Sequence, residues 1–85
     1  MRTRTRHHPG ADGGIDVTSA RAIAQVKFQT KKVSLPEVQR LSGIAHAEGK
    51  DAIFFSSSGY TAQAKAWGDQ HGVLCLRYRP RIDPR

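Results

Sequence analysis

Between Gly13 and Phe28 apolar and polar positions alternate in two short runs, Ile15-Asp16-Val17-Thr18 and Ala22-Ile23-Ala24-Gln25-Val26-Lys27-Phe28. A period of two with β-branched residues predicts strands. The short stretch between them predicts an antiparallel hairpin. The same period assigns faces. Ile15 and Val17 share one side, with Asp16 on the other. Ala22, Ala24, Val26 and Phe28 share a side, with Ile23, Gln25 and Lys27 opposite. A two-residue link at Ala20-Arg21 sets Asp16 across from Gln25, with Lys27 diagonal to it, and merges the two apolar faces. That link holds no Gly or Asn to fix the turn type, so the register rests on the match of faces.

Beyond Lys31-Lys32, Ser34-Leu35-Pro36-Glu37 has the spacing of a capping box, with Pro in the first turn. Leu35, Val38, Leu41, Ile44 and Ala45 then recur at helical spacing as far as Gly49. The unbroken apolar run Ala52-Ile53-Phe54-Phe55 predicts a central strand covered on both faces. Ser56-Ser57-Ser58-Gly59 reads as a loop that satisfies the start of a second helix. Thr61 caps that helix, Tyr60, Ala64 and Trp67 give it an apolar face, and Gly72 ends it. A last strand follows at Val73–Tyr78, closed by Pro80 and Pro84. The predicted class is α/β, a mixed β-sheet with flanking helices in the order β-β-α-β-α-β. Residues 1–10 form a basic lead-in in which Arg2, Arg4 and Arg6 alternate with Thr, as in a short edge strand. Residues 11–79 form the core and 80–85 a basic tail.

Composition narrows the partners. The chain has 85 residues, 38% of them hydrophobic and 25% charged, which is one small globular domain. No stretch approaches the roughly 20 apolar residues of a membrane span, and no apolar segment follows the basic N-terminus as a secretory signal requires. A single cysteine, Cys75, excludes an internal disulfide framework and agrees with a reducing, cytoplasmic setting. Its strand position reads as core. Lys plus Arg is 14 against 7 for Asp plus Glu, a net +7, which suggests a polyanion such as nucleic acid. The excess lies at the ends, where Arg2, Arg4 and Arg6, and Arg77, Arg79, Arg81 and Arg85, are nearly unopposed. Those ends either touch phosphates or keep the protein in solution.

Asp16, Gln25 and Lys27 form the constellation that suits a mechanism. A carboxylate, an amide oxygen and the Val26 backbone carbonyl are hard ligands fit for Mg²⁺. A neighbouring ammonium orients water or offsets charge on a phosphate. Metal, water and cation together serve phosphodiester hydrolysis. The same spacing also describes an exposed cross-strand ion pair. His7-His8 offers a further metal pair in the lead-in, and His46 and His71 read as surface residues near helix ends.

The segments Asp12-Gly13-Gly14-Ile15-Asp16-Val17, Ala22–Lys27, Val38-Gln39-Arg40-Leu41-Ser42-Gly43, Ile53-Phe54-Phe55-Ser56 and Gly59-Tyr60-Thr61, in this order, resemble the catalytic domain of Mrr-like restriction endonucleases, in the PD-(D/E)XK nuclease superfamily. The resemblance spans about residues 11–79. It implies a restriction-endonuclease-like core and a metal-dependent DNA endonuclease of the restriction and defence type. Asp16 and Gln25 are then ligands for Mg²⁺, with Mn²⁺ as a substitute, and Lys27 is the catalytic lysine. Gln25 departs from the superfamily's usual Glu and matches the Mrr branch, which implies a less anionic and weaker metal site. Lys31, Lys32, Gln39 and Arg40 are the expected DNA contacts. Family domains begin with a helix and a strand for which Met1–Gly10 is too short and too polar. The resemblance then implies a late gene start, a fragment, or a missing layer supplied by a homodimer or a partner chain. Two functions follow, the endonuclease and a non-catalytic nuclease-fold remnant or DNA-binding accessory module.

Overall fold

The computed structural model describes residues 4–7 and 14–78. The expected basic tail at 80–85 and the remainder of the lead-in lie outside them. Among the described residues five strands form one sheet in the order β1-β2-β3-β4-β5, with β1 Arg4–His7, β2 Gly14–Thr18, β3 Ala22–Lys27, β4 Asp51–Ser56 and β5 Val73–Arg77. β1–β2 and β2–β3 are antiparallel, while β3–β4 and β4–β5 are parallel. The helices α1 (Leu35–Ala47) and α2 (Ala62–His71) are the two parallel crossovers, and they touch each other. The α/β mixed sheet is the predicted one, with one strand more than the predicted order. Arg4–His7, assigned to the lead-in, is an edge strand whose Arg6 pairs with Asp16. The lead-in therefore does supply a strand, contrary to the expectation that Met1–Gly10 is too short and too polar for a helix and a strand. Alternating Thr and Arg suffice for the two-residue period of an edge strand.

Local chemistry sets the element ends. Glu37 closes a capping box with Ser34 at the start of α1, and Thr61 Oγ1 accepts the Ala64 N–H at 3.1 Å to start α2. Gly72, at φ 77°, ends α2 in a left-handed conformation that costs glycine nothing. Gly68 lets α2 approach β5 closely. A Cβ there would stand 2.7 Å from the Cys75 Sγ. Val33 and Tyr60 form an isolated parallel bridge, which ties together the segments that follow β3 and β4.

The core lies between the helices and one side of the sheet, built from Ile23, Val33, Val38, Leu41, Ala45, Ala52, Phe54, Ala64, Val73 and Cys75. Trp67 packs against its margin and stacks on His71. The run at 52–55 departs from expectation. Ala52 and Phe54 are buried, but Ile53 and Phe55, on the other side, are only half-buried. Consecutive parallel strands that step one way, joined by crossovers of one hand, carry both helices to a single face. The opposite face is an apolar ladder in which Val17, Ala24, Ile53 and Leu74 align, as do Val26, Phe55 and Leu76. At its rim Phe28 and Tyr78 meet edge to face at 5.8 Å. Leu74 is 53% exposed.

Candidate active site

The expected register is the observed one. Asp16 pairs with Gln25, and Gly14 with Lys27, so positions 16, 25 and 27 share the helix-covered side of the sheet. The link is the two-residue Ala20-Arg21. Ser19 N–H donates to Ala22 O at 2.9 Å, and Ser19 Oγ accepts from the N–H groups of Arg21 (3.3 Å) and Ala22 (3.2 Å). No non-glycine residue among those described has a positive φ. A serine side chain therefore closes this turn where Gly or Asn would usually do so.

Gln25 is half-buried, and Lys27 is only 4% exposed. Lys27 O accepts from Ser57 N–H at 3.1 Å, on the β4 side. Successive carbonyls of a strand point to opposite edges, so the Val26 carbonyl turns toward β2, the strand of Asp16. Position 16 thus lies across from Gln25, and the Val26 carbonyl turns to the same strand pair. A carboxylate, an amide oxygen and a carbonyl are the hard donor types that suit a magnesium-like cation. Among the described residues no group of three His, Cys, Asp or Glu side chains gathers to hold a metal.

Lys27 Nζ donates to Glu37 Oε1 at 2.6 Å. The second oxygen, Oε2, accepts from Ser34 N–H at 2.8 Å and Ser34 Oγ–H at 3.0 Å. Burial alone would push the Glu37 carboxyl up, but Lys27 and the two Ser34 donors together hold it below the ordinary 4.5. The folded state therefore binds fewer protons at Glu37 than the unfolded chain does just below that value. Its contribution to stability is present above pH 4.5 and is lost as pH falls through the lowered value. In urea titrations wild type should lose more stability than Glu37→Gln between about pH 5 and pH 3. A constant gap between the two would show that Glu37 titrates normally.

Glu37 is the residue that sequence reasoning missed as part of the site. Its Ser-x-x-Glu spacing placed it at a helix start, but nothing local said that its other oxygen reaches β3. The serine run also differs from expectation. Ser57 Oγ lies 3.4 Å from Lys27 O, Ser58 Oγ donates to Lys31 O at 2.6 Å, and Ser56 Oγ donates to Gly59 O at 3.0 Å. The Ser57 and Ser58 hydroxyls lace the β4–α2 loop to β3 and the segment after it, the Ser56 hydroxyl closes that loop on itself, and the Thr61 hydroxyl caps α2. The Ser58 bond to Lys31 O holds the backbone that carries Lys31 and Lys32, whose side chains are exposed. Gln39 and Arg40 are exposed on α1, whose inward positions are Val38, Leu41 and Ala45.

This geometry accompanies a match by sequence. Residues 1–80 match the Mrr-type catalytic family described as restriction endonuclease. The chain belongs to that family. The match runs through β1, in accord with a first strand in the sheet. The solved structure of EndoMS in apo form is similar, with a TM-score of 0.63 at 16% identity. The aligned region covers 93% of this chain and 38% of that one, and it shows a shared fold. No curated protein matches by sequence. Among the described residues no helix is long and apolar enough to cross a membrane.

Proposed function

We propose that this restriction-endonuclease-family domain is a metal-dependent DNA endonuclease that hydrolyses phosphodiester bonds. The supporting observation is the register that sets Asp16 beside Gln25 with Lys27 on the same side of the sheet. Asp16, Gln25 and the Val26 carbonyl would hold Mg²⁺ or Mn²⁺. A bound divalent ion polarises the phosphate and lowers the pKa of a water. Lys27 keeps a cation next to the scissile group, where it orients the attacking water and offsets developing charge. Gln25, being neutral, leaves the site with one anion fewer than a carboxylate pair and so weakens metal binding. Lys31 and Lys32 contact flanking phosphates, and Gln39 and Arg40 extend the polar surface along α1. The outer apolar ladder supports a second layer there, from a homodimer or a partner chain.

The test combines plasmid nicking with Mg²⁺ and duplex binding in EDTA across a salt series. Binding should weaken linearly in log salt. A Lys31→Ala/Lys32→Ala double variant should lower that slope by about 1.8, at about 0.9 per phosphate. An unchanged slope removes both lysines from the interface. Binding without nicking would identify the chain as the DNA-binding accessory module instead.

A further inference from the structure

We infer that Glu37 is a positioning residue for Lys27, fixing the ammonium from the first turn of α1; this rests on the reading of Lys27 as the catalytic lysine. A lysine stem has many rotamers of similar energy and a compact, freely rotating head. Here that head meets a short charge-assisted contact of 2.6 Å to Oε1. The acceptor cannot follow a swinging lysine, because Oε2 is held by the backbone and hydroxyl of Ser34. The helix start, itself bridged to the β4–α2 loop through Val33 and Tyr60, thereby becomes part of the frame that aims the ammonium. Glu37 touches neither the substrate nor the attacking water and acts only through Lys27. Misplacing a reacting group by about 1 Å costs about 100-fold in rate, so a residue that selects one lysine rotamer acts on turnover and leaves affinity alone.

Glu37→Gln separates this role from helix capping. Glutamine also serves the third position of a capping box, but its one amide oxygen cannot serve Ser34 and Lys27 together. Thr61→Ala, which removes the side-chain cap of α2 and keeps the backbone N–H that donates to Val33 O, is the control for stability loss alone. In the metal-free full chain, the hydrogen-bonded Lys27 ammonium should give a slowly exchanging ¹⁵N NMR signal that shifts and exchanges faster in Glu37→Gln and is unchanged in Thr61→Ala. With Mg²⁺ and DNA, Glu37→Gln should lower kcat about 10- to 100-fold with KM within about twofold, while Thr61→Ala keeps native kcat. If Glu37→Gln leaves the Lys27 signal unchanged and keeps native kcat, Glu37 is only a cap and the inference is wrong. Equal kcat losses in the two variants would overturn it as well. If wild type cuts nothing but its Lys27 signal still depends on Glu37, the positioning stands and the nuclease reading falls.

Discussion

Asp16→Ala is expected to abolish Mg²⁺-dependent nicking while the chain stays folded. Position 16 supplies the one carboxylate of the proposed donor set, opposite the neutral Gln25. Loss of a residue that merely supports a metal ligand costs about 10- to 100-fold, so loss of the anionic ligand itself should exceed about 100-fold. Lys27→Ala should behave differently. It should still bind Mn²⁺, since the lysine is no ligand, yet turn over about 100- to 1,000-fold more slowly for want of a placed cation. Metal titration and nicking on the two variants side by side distinguish the roles. Native-rate cutting by Lys27→Ala would remove the lysine from the mechanism, and metal binding at native affinity by Asp16→Ala would remove the aspartate from the site.

Phe54→Ala should carry the largest stability loss. Its ring is fully buried in the centre of β4 and meets Tyr60 edge to face at 5.9 Å. Emptying such a position costs about 3–5 kcal/mol, a large part of the 5–15 kcal/mol that holds a typical domain. For a domain of this size each kcal/mol lowers Tm by about 4–8 °C, so the midpoint should fall by at least about 12 °C. Phe55→Ala is the comparison, because Phe55 is half-buried on the outer face. It should cost clearly less. Equal losses would mean that the outer face is also packed, as it would be in a tight homodimer, and concentration dependence of the Phe55→Ala midpoint would then reveal the dimer.

Much of this was legible in the sequence because the deciding signals are local. The two-residue period and the need to merge apolar faces determined the 16–25 register, and a one-residue slip would have put Asp16 on the apolar side. The Ser34 box and Gly72 marked helix ends to within about two residues through hydrogen bonds made inside a single turn. What the chain could not show locally was which side of the sheet the helices cover. The run at 52–55 looks the same whether one face or both are packed. That outcome depends on both crossovers stacking on one side, a relation among β3, β4 and β5 across some 50 residues of chain. The Thr/Arg alternation marked Arg4–His7 as an edge-strand candidate, but only β2 decides where it pairs. Glu37 is the clearest case. Its own four-residue box explains one carboxylate oxygen, and only the packing of α1 over β3 gives the other oxygen to Lys27. Backbone-local forces thus wrote the elements and the Asp16, Gln25, Lys27 row into the sequence. Long-range packing alone decided which side was buried and what would hold the lysine still.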